Sequence, residues 1–139
     1  MEVVEQTAHN LMNSVINYTG GRQRFEDKFN FQRRKEESNR ILAKYPDRIP
    51  IICQRSKRAR EDIPDVDRIK YLVPGDLSVA NFMYVIRKRI KIGPEKSIYM
   101  FIGDNIIPSY TQLLLQIYEE FKDNDGFLYI NYAGENTFG

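Results

Sequence analysis

The stretch Arg68-Ile69-Lys70-Tyr71-Leu72-Val73-Pro74 constrains the fold more than any other part of the chain. Strand alternation puts Ile69, Tyr71 and Val73 on one face and Lys70 and Leu72 on the other. Apolar groups on both faces need cover from both sides, so a layer must lie above and below this strand. Pro74 ends it, a polar loop precedes it and a helix start follows it. Two readings fit this pattern. One is an ordinary core strand. The other is a strand near a sheet edge, with an apolar pocket on each side, able to accept a partner's strand.

The remaining elements place that strand in a topology. Val4, Ala8, Leu11, Met12 and Val15 recur at helical spacing before Gly20-Gly21. Residues 1–21 therefore read as an amphipathic helical extension on a joint, either native or a fused peptide. It could dock on its own domain, on a partner or on a membrane surface. Residues 25–28 read as a helical turn. A helix over residues 31–45 carries the stripe Phe31, Arg34, Ser38, Ile41, Leu42 and Tyr45, and Pro46 ends it. Strands are expected at residues 48–54, 68–73, 98–102 and 127–132. Ser78 is the expected N-cap of a helix with Val79, Phe82, Met83, Ile86 and Ile90 inward, closed by Gly93-Pro94. Ser109 is the expected cap of a last helix, with Leu113, Leu114, Ile117, Tyr118 and Phe121 inward. Asp123-Asn124-Asp125-Gly126 is turn chemistry.

The order after the first helices is β-β-α-β-α-β. It suits an α+β fold, a four-stranded mixed sheet crossed by one helix. That is the ubiquitin-like β-grasp, with two additional N-terminal helices on the opposite face. The expected organisation is an extension at 1–21, one domain at 22–132 and a flexible tail at 133–139.

Composition narrows the chemistry. The 139 residues include one cysteine and one histidine, Cys53 and His9. A lone cysteine forms no internal disulfide, and Cys53 in the apolar run 49–53 reads as a buried structural thiol. Neither a metal site nor a Cys-His dyad is expected, and no phosphate-binding glycine loop or serine nucleophile motif is present. The reading is of a chain that is not an enzyme and holds no cofactor. It contains no run of ~18 apolar residues and starts without a secretory pattern, so a cytoplasmic location is expected. Net charge is only +2. Arg55, Lys57, Arg58 and Arg60 cluster in a loop, and Arg87, Lys88, Arg89 and Lys91 crowd a helix end. Such clusters bind phosphates or form solvated surface, and the helix dipole favours the second. The aromatics do not interleave with them as stacking platforms do, so specific nucleic acid is not expected.

Several ordered segments resemble the autophagy ubiquitin-like modifiers, the GABARAP-like family. They are Arg48-Ile49-Pro50, Asp62-Ile63-Pro64, Lys70-Tyr71-Leu72-Val73-Pro74, Tyr84-Val85-Ile86-Arg87-Lys88-Arg89-Ile90 and Pro94-Glu95-Lys96. Asp125-Gly126-Phe127-Leu128-Tyr129 and Gly134-Glu135-Asn136-Thr137-Phe138-Gly139 complete the set. The resemblance runs from about Phe25 to Gly139. It implies a modifier that a cysteine protease trims after Gly139 and that activating and conjugating enzymes carry as thioesters. They join Gly139 to phosphatidylethanolamine on autophagosomal membranes, with Phe138 gripping beside the reacting bond. The alternative is an unconjugated peptide-binding or microtubule-associated adaptor, which keeps the groove without the tail chemistry.

The resemblance also implies receptors with an aromatic-x-x-aliphatic motif, added as a strand at the sheet edge. The aromatic pocket would use Glu37, Ile41, Pro50, Ile52, Lys70, Leu72 and Phe127. The aliphatic pocket would use Tyr71, Val73, Pro74, Leu77, Phe82 and Val85. Lys70, Arg48 and the basic loop would favour acidic residues beside the peptide's aromatic. Three segments depart from the family pattern: a longer, more basic loop at Arg58-Ala59-Arg60-Glu61, one extra residue within 103–108, and residues 1–21.

Overall fold

The computed structural model describes residues 23–59 and 63–134. The expected N-terminal helix and the end of the tail, Phe138 and Gly139 included, lie outside the described residues. The elements in chain order are α1 (Phe25–Lys28), α2 (Phe31–Lys44), β1 (Arg48–Arg55), β2 (Lys70–Pro74), α3 (Val79–Ile90), β3 (Ile98–Ile102), α4 (Leu114–Phe121) and β4 (Leu128–Gly134). The sheet order is β2-β1-β4-β3. β1 pairs antiparallel with β2 and parallel with β4, and β3 pairs antiparallel with β4. This is the expected α+β ubiquitin-like β-grasp, and β2 is one of its edges.

Alternation along the strands sorts side chains into two layers. Ile49, Ile51, Cys53, Tyr71, Val73, Met100, Ile130 and Tyr132 pack beneath Val79, Phe82, Ile86 and Ile90 of α3 and Leu114, Ile117 and Tyr118 of α4. Ile52, Leu72 and Phe127 pack on the other face against Ile41 of α2 and Phe25 of α1. A central strand covered on both faces reads as a continuous apolar run, which is why β1 carries Ile49-Pro50-Ile51-Ile52-Cys53. Pairing with β4 begins at Ile51, opposite Leu128, so Pro50 lies before that ladder and its missing N–H costs β4 nothing.

Local chemistry sets the helix ends, with four differences from the sequence expectation. Ser78 Oγ accepts from Asn81 N at 3.1 Å, as expected, and Asn30 caps α2 in the same way through Arg33 N at 2.8 Å. Ser109 caps nothing of α4, which starts at Leu114. The preceding segment bonds instead to the start of α3: Val79 N donates to Gln112 O and Ala80 N to Tyr110 O, both at 3.0 Å. Those carbonyls satisfy N–H groups that a helix start leaves without partners. Leu113, expected inward, is 38% exposed there. The last turn of α3 closes on Lys91 in the left-handed region, φ 54°, before Gly93 is reached. Phe31, expected on the buried stripe of α2, is 46% exposed, with the Arg34 guanidinium 5.8 Å from its ring centre.

β4 continues two residues beyond the expected strand. Ala133 pairs with Tyr99 and Gly134 with Ile98, so the β3 ladder holds both. No helix among the described residues is long and apolar enough to cross a membrane.

Candidate functional site

The register of β1 and β2 defines what the sheet edge presents. Ile49 lies opposite Val73, Pro50 opposite Leu72, Ile51 opposite Tyr71 and Ile52 opposite Lys70. Cys53 N donates to Ile69 O at 2.7 Å, which makes that pair hydrogen-bonded. Antiparallel pairs alternate, so Ile51–Tyr71 and Ile49–Val73 are also hydrogen-bonded pairs. Lys70 and Leu72 therefore turn their N–H and C=O groups away from β1, toward the edge. Pro50, with no N–H to give, stands at a position that needs none toward β2.

The residues expected at the aromatic pocket fall on the α2 side of this edge. Ile41, Ile52, Leu72 and Phe127 form one buried cluster. Pro50 is buried beside Ile49 and Ile51 on β1. Glu37 precedes Ile41 by one turn and shares its face of α2, while Lys70 shares the Leu72 face of β2. Glu37 is 2% and Lys70 6% exposed. Among the described residues, neither carboxyl oxygen of Glu37 has a hydrogen-bond partner, and Nη1 of Arg48 is likewise buried without one. Burial pushes the Glu37 carboxyl up to about 7, opposed by the positive charges of Lys70, Arg33 and Arg40. Burial pulls the Lys70 ammonium down, opposed by Glu37.

Of the residues expected at the aliphatic pocket, Tyr71, Val73 and Phe82 pack in the opposite cluster with Leu77 against it, and the set does not lie at equal depth. Tyr71 and Phe82 are core residues, edge to face with ring centres 5.5 Å apart. The Tyr71 hydroxyl donates to Arg68 O at 2.8 Å. Val73 and Val85 are buried, and Pro74 and Leu77 are half-buried. Any pocket here has Tyr71 and Phe82 as its floor and Pro74 and Leu77 at its rim.

Two groups of residues escaped the sequence reading. Phe25 is fully buried at the centre of the α2-side cluster, edge to face with Phe127 at 5.5 Å between ring centres. Its backbone N–H donates to Gln54 Oε1 at 2.8 Å. Its place in a short polar segment gave no periodic signal. The second group is Arg34, Asp125 and Tyr129. Arg34 Nη1 lies 2.5 Å from Asp125 Oδ2, and the Tyr129 hydroxyl donates to the same oxygen at 2.5 Å.

A family model described as "Autophagy protein Atg8 ubiquitin like" matches residues 33–139. The chain is 58% identical over 118 residues to Autophagy-related protein 8 of Schizosaccharomyces pombe, covering 85% of this chain and 95% of that protein. It is 55% identical over 118 residues to Autophagy-related protein 8 of Mycosarcoma maydis, covering 85% and 98%. Among solved structures, Trypanosoma brucei ATG8 superimposes with a TM-score of 0.74 at 37% identity, covering 86% of this chain and 100% of that one.

Proposed function

The chain belongs to the Atg8 family of ubiquitin-like autophagy modifiers, and from that premise we propose two connected activities for it. Its C-terminal Gly139 is conjugated to phosphatidylethanolamine on autophagosomal membranes. Its β2 edge recruits receptors and adaptors that carry an aromatic-x-x-aliphatic motif.

The observation that carries the groove is the division of labour along β2. Lys70 and Leu72 face the α2 side and turn their backbone groups toward the edge, while Tyr71 and Val73 face α3. A peptide strand added beside β2 places alternate side chains toward the two apolar clusters. Glu37, Ile41, Pro50, Ile52, Lys70, Leu72 and Phe127 surround its aromatic anchor. Tyr71, Val73, Pro74, Leu77, Phe82 and Val85 receive its aliphatic one. Burying ~150–250 Å² of an aromatic ring yields roughly 4–6 kcal/mol gross, and ordering the peptide leaves affinities in the micromolar range.

For the tail, the five residues that follow Gly134 can span at most ~18 Å when extended. Gly139 has no Cβ, so its carboxylate approaches a nucleophile closely. Phe138 offers the processing protease and the activating and conjugating enzymes an apolar grip beside it. The attached lipid brings two acyl chains, enough for stable anchoring where one is marginal. The modifier is cytoplasmic before this step and on the autophagosome after it.

The test is deletion of Gly139 in a reaction holding the activating and conjugating enzymes, ATP and phosphatidylethanolamine vesicles. The full chain becomes vesicle-bound and the shortened chain does not. Undiminished conjugation of the shortened chain contradicts the assignment.

A further inference from the structure

The last two residues of β4 are held differently from the rest of the strand. Pairing with β1 ends at Tyr132, opposite Arg55, so Ala133 and Gly134 have a ladder on one side only, with Tyr99 and Ile98 of β3. Strand ends paired on one side fray readily, yet both residues are buried. The cover over Gly134 is Ile63, itself 3% exposed, which packs into the main core from the segment before β2. A Cβ built on Gly134 would lie 2.7 Å from Ile63 Cδ1 and Cγ1. Gly134 lacks the positive φ of Gly103 and Gly126, so its backbone does not call for glycine; the close approach of Ile63 does. Two side chains at the ends of β1 and β4 hold the Ile63 segment down. The Tyr132 hydroxyl donates to Pro64 O at 2.7 Å. Arg55 Nη1 donates to Ile63 O at 3.4 Å, and Arg55 Nε donates to Asp65 Oδ1 at 3.1 Å.

We propose that Ile63 is a positioning residue for conjugation: it clamps Gly134 to the sheet and so fixes the point from which Gly139 reaches its enzymes. The inference rests on the conjugation proposed above. In the last step of that reaction the ethanolamine nitrogen attacks the Gly139 thioester carbonyl on the conjugating enzyme. The C–N bond forms, the C–S bond breaks and the proton on nitrogen goes to the departing thiolate. Each sulfur that carries Gly139 must therefore meet its carbonyl at the end of a reach of five residues, ~18 Å at most. Release of Ala133 and Gly134 would lengthen that reach by about 7 Å. A short reach keeps the carbonyl near the docked enzyme, because effective concentration falls as a tether lengthens.

The test is rescue of a shortened tail, in a reaction holding the activating and conjugating enzymes, ATP and phosphatidylethanolamine vesicles. Deleting Asn136 from the full chain cuts the reach by ~3.5 Å, and conjugation slows by about tenfold or more. Adding Ile63→Ala to the shortened chain frees the end of β4 and speeds conjugation again by about threefold or more. A merely structural role for Ile63 predicts the reverse, a further decline. Tyr132→Phe removes the bond to Pro64 O and keeps the core volume. It gives a smaller recovery of the same sign, and it decides the matter if Ile63→Ala does not fold. Amide order parameters of Ala133 and Gly134 fall in both variants. A shortened chain conjugated at the full rate, or one that neither variant speeds, overturns the inference and leaves conjugation standing. If the unmodified chain is not conjugated at all, the conjugation reading fails and the inference falls with it.

Discussion

Arg34 on α2 and Asp125 in the turn before β4 form a short ion pair, Nη1 to Oδ2 2.5 Å, in which the aspartate side chain is wholly buried. The same carboxylate accepts from Tyr129 OH at 2.5 Å and from Phe127 N at 2.9 Å. Ser38 Oγ donates to the Asp125 carbonyl from the next turn of α2. One turn thus ties α2 to the sheet and leads directly into Phe127 of the α2-side cluster. Removing one partner of a buried pair strands the other, at about 3–5 kcal/mol. Asp125→Ala is therefore expected to lower unfolding free energy by about that amount in urea titration. Tyr129→Phe removes one bond to a charged acceptor and is expected to cost about 1.5–3 kcal/mol.

Gly126 and Gly103 offer a controlled pair. Both have positive φ, 92° and 64°. A Cβ on Gly103 meets nothing within 4 Å, whereas one on Gly126 runs into Ser38 Oγ and Cβ. Gly103→Ala carries only the conformational cost, about 1 kcal/mol. Gly126→Ala adds the collision with a side chain that is itself hydrogen-bonded. Thermal or urea unfolding of the two variants should place Gly126→Ala lower by a further ~1 kcal/mol or more.

Leu77 and Tyr71 separate binding from stability. The half-buried Leu77 lies at the rim, and its truncation is expected to weaken peptide binding roughly tenfold with a small effect on unfolding. Tyr71 is a core ring packed on Phe82, so Tyr71→Ala is expected to cost about 3–5 kcal/mol of stability. A loss of peptide affinity in that variant reports the core as much as the groove. Peptide titration and urea unfolding measured on both variants distinguish the two roles.

Glu37 gives the fold a pH dependence of known sign. Its carboxyl rises from 4.5 to about 7 on folding, so the folded chain holds a proton that the unfolded chain releases. That contribution is present in full below pH 4.5 and is lost as pH rises through about 7. Glu37→Gln carries no such titration. The variant is expected to gain on the unmodified chain between about pH 5 and about pH 8, read as the difference in unfolding free energy at each pH.

The pattern of residues 68–74 foretold the two-faced strand because alternation alone separates Lys70 and Leu72 from Tyr71 and Val73. It left the edge position open, because apolar cover on both faces is equally a property of a central strand. Leu114 rather than Ser109 starts α4 because the carbonyls of Tyr110 and Gln112 bond to α3, a long-range pairing that local capping rules do not see. Ala133 and Gly134 join β4 for the same kind of reason, through partners on β3. Arg34 was placed on the right helix stripe but without its partner. An ion pair spanning 91 positions leaves no mark in local periodicity. At the candidate site alternation separated Tyr71 and Val73 from Lys70 and Leu72, as the two buried clusters divide them. The depth of the aliphatic residues was not legible, because burial of Tyr71 and Phe82 depends on how α3 crosses the sheet.

Strand addition at β2 is tested most directly at Leu72, whose backbone N–H turns toward the sheet edge. Amide hydrogen exchange of the full chain is measured with and without a saturating aromatic-x-x-aliphatic peptide. Exchange at Leu72 should slow by about tenfold or more, while Tyr71, already paired with Ile51, changes little. A peptide that binds at saturation and leaves the Leu72 amide exchanging at its original rate contradicts the groove.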